Sequence, residues 1–337
     1  MNKKRWAALG IAVVLFIFSS ITNVFSTIVS SNFQSSLEEM MNPTGNLLGE
    51  EVIEDGNPSN KIAVLDINGT IQDTGEPTSL FSTVSYNHRA FLKNLNHAKN
   101  DGSVKGIIIR VNTPGGGVVE SAQIHDKIVE IQEEAKKPVY ISMGSMAASG
   151  GYYISAPAQK IYASPETLTG SLGVIMQGVN ITGLAEKYGV KFETIKSGEF
   201  KDIMSSTREM TEEERTILQN MINNSYNGFV RVISEGRDIP EEEVRRIADG
   251  RVYDGRQAKE INLIDEFGYF EDVVDALKED HKLGNAQVIK YTESFGFGSL
   301  FSMSARGLLG QDDLELAGIM NLLTQSHSPR LMYLYSE

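Results

Sequence analysis

Residues 105–111 read KGIIIRV, a nearly continuous β-branched run with no polar alternation. A strand with one wet face alternates apolar and polar residues; an unbroken run belongs to a strand covered on both faces, as parallel sheets require. The loop 112–117 (NTPGGG) follows, and then Val119, Ala122, Ile128 and Ile131 recur at helical spacing. The same unit returns with KPVYISM (137–143), a turn of small residues and a short helical stretch over 150–156. Further strands are predicted at 61–66, 160–164, 173–176, 191–196 and 287–291. Helices are predicted near 87–100, 118–134, 181–188, 240–248, 254–262, 270–281 and 313–325. Thr211 and Glu214 have the spacing of a capping box, which opens a long helix to about residue 235. Repeated strand–loop–helix units imply a layered α/β fold with short crossovers.

Composition narrows the chemistry. Among 337 residues there is no cysteine, so a disulfide framework, a thiol nucleophile and cysteine-bound zinc are excluded. Five histidines fall in no metal-binding pattern. A formal net charge of -13 argues against nucleic acid as a partner, since phosphates call for a basic surface. Catalysis must then be built from hydroxyls, lysines, carboxylates and backbone amides, a set that requires no metal or cofactor. Asp73-Thr74-Gly75 matches a short aspartic-protease signature, but that chemistry needs two such carboxylates and one copy is present. No phosphate-binding P-loop or dinucleotide fingerprint occurs.

The N-terminus carries Lys3, Lys4 and Arg5 before an apolar run from Trp6 to Phe18, with weaker apolar character to Val29. The first part suits a signal-peptide core. The whole stretch would span ~36 Å as a helix, enough for a ~30 Å hydrocarbon layer. Without a small-residue cleavage site, the stretch is expected to be an uncleaved anchor, with its basic end cytoplasmic and the rest outside the cell membrane. The expected organisation is an anchor over 1–29, a polar linker over 30–60, an α/β domain over 61–292 and a C-terminal tail over 293–337.

Two loops follow buried strands, where α/β sheets gather their sites. Gly115, Gly116 and Gly117 let backbone amides approach an anion with no Cβ in the way. Ser149 stands between Ala147-Ala148 and Gly150-Gly151, open to close approach from both sides. The bland readings are a tight turn and a helix N-cap. Ser145 is a further hydroxyl, though no glycine pair follows it. A serine nucleophile needs a base. With no histidine near these loops, a lysine of lowered pKa is the main candidate. Lys196 and Lys201 both lie at or just after the predicted 191–196 strand, and spacing does not choose between them. Ser171, in Gly170-Ser171-Leu172-Gly173, either orients such an amine or serves as a turn residue.

Four motifs in order resemble one family. They are NTPGGG (112–117), AASGGYY (147–153), LTGSLGV (168–174) and KSGEFKD (196–202), joined later by GRVYDGRQAKEINLID (250–265). Together they look like the serine–lysine peptidases of the signal peptide peptidase A family, in its short membrane-anchored bacterial form. The resemblance covers roughly 60–290. It implies the fold shared by caseinolytic protease P and the crotonases, built from repeated ββα units. By motif it implies Ser149 as nucleophile, Lys201 as general base and Ser171 as the hydroxyl that holds the lysine amine. It implies the amides of Gly116 and Gly150 as the oxyanion hole. With one such set per chain, it also implies a homo-oligomeric ring whose neighbours share sites. The activity so implied is a membrane-anchored endopeptidase for hydrophobic peptides such as remnant signal peptides. Two other classes compete: an acyl-CoA enzyme of crotonase type, and a non-catalytic oligomeric scaffold.

The tail has its own signal. Residues 328–335 (SPRLMYLY) form an extended, apolar, proline-preceded segment. They either pack on the domain or occupy an active-site groove like a substrate.

Overall fold

The computed structural model describes residues 48–74, 86–293 and 331–335. The expected anchor and the expected helix at 313–325 lie outside the described residues. Among the described residues, no helix is long and apolar enough to cross a membrane.

The strands are β1 (Leu48–Glu54), β2 (Asn57–Asn68), β3 (Val104–Thr113), β4 (Gly115–Gly117), β5 (Val139–Ala148), β6 (Lys160–Ala163), β7 (Leu168–Gly170), β8 (Val252–Tyr253), β9 (Glu266–Phe267), β10 (Ala286–Glu293) and β11 (Met332–Leu334). The helices are α1 (His88–Asn100), α2 (Val118–Glu133), α3 (Gly150–Ser155), α4 (Thr182–Lys187), α5 (Glu212–Arg237), α6 (Glu241–Ile247), α7 (Gly255–Glu260) and α8 (Phe270–Asp280). The main sheet runs β1-β10-β2-β3-β5-β6-β9, with β7 on β5 and β8 on β7. Pairs β10·β2, β2·β3, β3·β5, β5·β6, β5·β7 and β6·β9 are all parallel. The α/β fold class is therefore observed.

Why β3 sits at the centre follows from its side chains. Ile107, Ile108, Ile109 and Val111 are all fully buried. Successive side chains on a strand point to opposite faces. Ile108 joins Ile62, Val64, Val273 and Leu277 in the core beneath α8. Ile107 and Ile109 point the other way, toward the layer of α1 and α2, whose Leu95, Ile124 and Ile128 are fully buried. Each such side chain contributes about 2–3 kcal/mol when buried.

The strand expected at 173–176 is reduced to a single bridge between Ile175 and Met332, because only the short tail strand lies alongside it, and two further local expectations differ from the structure. Residues 191–196 form no strand. Their β-branched pattern pairs with no strand among the described residues, and every one of them is exposed. The second difference is at the near end, where β1 begins at Leu48 and β2 at Asn57, inside the segment assigned to the linker. There β10 supplies the ladder that a polar composition does not announce.

Candidate active site

The two serines of interest leave the sheet side by side. β5 and β7 run parallel with Ala148 opposite Gly170, so Ser149 and Ser171 are the next residue on each strand. The Ser149 amide donates to the Gly170 carbonyl at 2.8 Å, and the Ser171 amide donates to the Arg251 carbonyl at 2.7 Å. Both have left-handed backbone, with φ 53° at Ser149 and φ 50° at Ser171. Such conformations cost on the order of 1–3 kcal/mol in a residue with a Cβ. They persist because the ladder on one side and α3 on the other fix the chain; the Tyr153 amide closes the first turn on the Ser149 carbonyl at 2.9 Å. A sharp strand-to-helix turn lifts its side chain off the sheet. The Ser149 hydroxyl is buried and makes no hydrogen bond among the described residues.

The glycine loop faces this turn. Gly115 has φ +106°, a conformation for a residue without Cβ. The Ile71 amide donates to the Gly115 carbonyl and the Gly117 amide to the Ile71 carbonyl, both at 2.8 Å. Those bonds use one edge of β4 and turn the Gly116 amide to the other. On that edge lies β11, antiparallel, with Tyr333 opposite Gly116. The flanking bonds run from Val118 to the Leu331 carbonyl and from Tyr335 to the Pro114 carbonyl. By the alternation of an antiparallel ladder, Tyr333 and Gly116 are then a pair that exchanges both main-chain bonds. The Gly116 amide thus donates to the Tyr333 carbonyl. A Cβ on Gly150 would lie 2.8 Å from Ser121 Oγ, 3.0 Å from the Gly116 nitrogen and 3.1 Å from that same carbonyl oxygen. One peptide carbonyl therefore sits where Gly116 and Gly150 converge, beside Ser149. The expected loop is a strand here because the tail supplies its partner.

The Tyr333 ring is 2% exposed. It stacks on Tyr153 at 4.8 Å between centroids and meets Phe229 at 4.7 Å. Its hydroxyl donates to the Ser225 carbonyl at 3.1 Å. On the other side of the tail strand, a cavity of about 550 Å³ opens between Ser171, Ile175, Tyr226, Gly250 and Leu334.

Lys201 is placed differently. It is exposed, in a segment that contains no buried residue from 173 to 213. The Ser149 hydroxyl, without any partner, is not bonded to it. Lys196 is engaged: its Nζ donates to the Glu199 carbonyl and to Asp202 Oδ1, both at 2.7 Å. The fold thus brings Ser149, Ser171, Gly116 and Gly150 together, while Lys201 is exposed and makes no bond to the Ser149 hydroxyl. Ile71 and Phe229, which help shape the groove, carried no sequence signal; they come from distant segments and read as ordinary core residues, whereas Tyr153 closes the AASGGYY motif.

Electrostatics fix the lysine segment. Bonds from Arg208 and then Lys196 hold the Asp202 carboxyl well below the usual carboxylate range. Arg208 and the Thr211 amide hold Glu214 down to about 2. Both groups are favoured as carboxylates by folding. Their contribution is complete above the unfolded carboxylate range and is lost as pH falls from about 4.5 toward 2. Limited proteolysis across 190–211 should accelerate over that window in the wild-type chain. An Arg208→Gln chain should be cut readily at neutral pH with little further change on acidification; equal acid sensitivity in both would count against this origin.

The comparisons with known proteins can now be set beside this geometry. Residues 131–284 match the model of peptidase family S49. The chain is 40% identical to an Enterococcus faecium protein assigned the name signal peptide peptidase SppA, over 99% of both chains. The chain belongs to peptidase family S49. Protease 4 of Haemophilus influenzae is a further S49 relative, 31% identical over 84% of this chain and 48% of its own. The chloroplastic serine protease SPPA of Arabidopsis thaliana is 30% identical over 62% of this chain and 30% of its own. The chain is accordingly a serine peptidase, and the acyl-CoA and scaffold readings fall away.

Proposed function

We propose that this S49 peptidase is a membrane-anchored endopeptidase. It cleaves hydrophobic peptides such as remnant signal peptides with Ser149 as nucleophile and Lys201 of a neighbouring copy as base. The observation that carries this reading is the peptide carbonyl held at Gly116 and Gly150 beside an unpartnered serine hydroxyl. Ser149 Oγ attacks such a carbonyl while the neutral Lys201 amine takes its proton. The Gly116 and Gly150 amides hold the oxyanion, each lowering the barrier by about 3 kcal/mol. Ser171 holds the amine, which then protonates the leaving group, and water hydrolyses the acyl-enzyme.

Support for the shared dyad comes from the lysine segment. Glu214, at the first turn of α5, anchors that segment. Phe229, which meets Tyr153 in α3, lies about 22 Å further along the same helix. That spacing favours a lysine supplied by a neighbouring copy over a chain's own. The segment also exposes Val179, Leu184, Tyr188, Val190, Phe192 and Ile195, a surface suited to a second copy. The cavity beside Ser171 gives an incoming lysine room to reach the serine. Head-to-tail sharing of this kind closes into a ring, on the caseinolytic protease P and crotonase plan of ββα units. The first 29 residues anchor the assembly, with the N-terminus cytoplasmic and the peptidase outside. The tail strand is a tethered, substrate-like occupant of the groove and holds the enzyme back.

Mixing tests the shared dyad. Full-length Ser149→Ala and Lys201→Ala chains should each be inactive on a hydrophobic fluorogenic peptide. Co-expressed in equal amounts, they should recover about one quarter of the wild-type rate, the share of interfaces that pair an intact serine with an intact lysine. Recovery near zero would place the dyad within one chain or nowhere.

A further inference from the structure

The lysine segment has no core of its own. From residue 173 to 213 no side chain is buried, and 191–196 pair with no strand. Something else must set the path of the main chain at Lys201, because a base displaced by an ångström loses much of its effect. One side chain joins this segment to the helical frame. Arg208 Nε donates to Asp202 Oδ2 at 2.9 Å and Nη2 to Asp202 Oδ1 at 2.7 Å, a two-pronged grip on the residue next to Lys201. Nη2 also reaches the Asp202 carbonyl at 3.3 Å. The same guanidinium turns to Glu214: Nη1 donates to Oε2 at 2.8 Å, and Nη2 bonds Oε1.

Glu214 is a fixed point. Its side chain is 2% exposed. It closes the capping box of α5, accepting from the Thr211 amide at 2.9 Å while its own amide donates to Thr211 Oγ1 at 3.2 Å. α5 is in turn seated on the domain by Phe229, Val230 and Ile233. Planar bidentate geometry on two carboxylates is what a guanidinium supplies and an ammonium does not.

We infer that Arg208 is a positioning residue for the lysine base: it clamps Asp202, the neighbour of Lys201, to the buried Glu214 at the head of α5. Lys196 serves the clamp from the other side through its bond to Asp202. Arg208 touches no substrate in this arrangement and acts through Lys201, so the inference rests on the Ser149–Lys201 reading.

Asp202→Asn is the decisive variant. It cuts the link to the lysine while leaving the Arg208–Glu214 pair and the α5 cap in place. Full-length chain in detergent should show kcat on a hydrophobic fluorogenic peptide reduced about tenfold, KM changed less than about twofold, and an unchanged Tm. Arg208→Lys should behave alike. Acylation of Ser149 by a fluorophosphonate supplies the readout that a structural role would not move. In a Lys201→Ala background, Asp202→Asn should slow acylation no further, because the residue acts only through the lysine. Wild-type kcat in both Asp202→Asn and Arg208→Lys beside an inactive Lys201→Ala chain would overturn the clamp alone. So would losses that multiply in the double variant. An active Lys201→Ala chain would instead overturn the dyad, and the clamp with it.

Discussion

Ser149→Ala in the full-length chain is expected to lower peptide hydrolysis by on the order of 10⁴-fold or more, with no loss of stability. The two effects separate because of how the hydroxyl is held. It is buried and makes no hydrogen bond among the described residues. A buried polar group without a partner costs about 1–3 kcal/mol, so its removal relieves the fold and does not weaken it. The strained backbone at residue 149 stays, since alanine keeps the Cβ. The ladder bond to Gly170 and the first turn of α3 are main-chain bonds and also stay. Calorimetry should therefore find Tm equal to wild type or slightly raised, while hydrolysis followed by mass spectrometry falls to background. The Gly116 and Gly150 amides would remain, so peptide should still bind. More than a tenth of the wild-type rate retained would remove Ser149 from the nucleophile's role. A collapse in Tm would show that the hydroxyl has a structural duty instead.

A chain ending at residue 326 should hydrolyse peptides roughly 10- to 100-fold faster than the complete chain. A tethered segment competes at an effective concentration in the millimolar range. The tail makes main-chain bonds on both edges: it pairs with β4, and Met332 exchanges two 3.0 Å bonds with Ile175. Tyr333 fills the pocket between Tyr153 and Phe229. An added substrate must displace all of this at once. The gain should appear chiefly as a lower apparent KM, because an occupied groove excludes substrate without altering the chemistry. Tyr333→Ala alone should give a smaller gain in the same direction. Equal rates for the shortened and complete chains would make the tail a packing element only.

Much of this was legible along the chain because it depends on local patterning. The run at 105–111 announces a doubly covered strand, since Ile107, Ile108 and Ile109 follow one another with no polar residue between them to mark an outer face. Thr211 and Glu214 announce the start of α5, because a capping box is closed within four residues. Ser149 stood out because only alanines and glycines flank it, and the glycine loop because its own residues carry no side chain, leaving little or nothing in the way. The strand expected at 191–196 failed for the opposite reason: β-branched residues favour a ladder only where an edge is offered. Lys196 and Lys201 were equivalent by spacing, and the structure separates them by partners, since Lys196 is bonded to Asp202 and Glu199.

By itself, then, the amino-acid sequence determined the α/β class, the helix starts and the residue types from which a site could be built, since each follows from short-range preference and side-chain period. Only the tertiary structure decided which of them meet. Parallel register puts Ser149 beside Ser171, two-edged bonding turns the Gly116 amide toward a peptide carbonyl, and Arg208 ties Asp202, the neighbour of Lys201, to Glu214 at the head of α5. The first two are contacts between segments far apart along the chain, set by packing and ladder geometry that no local pattern encodes.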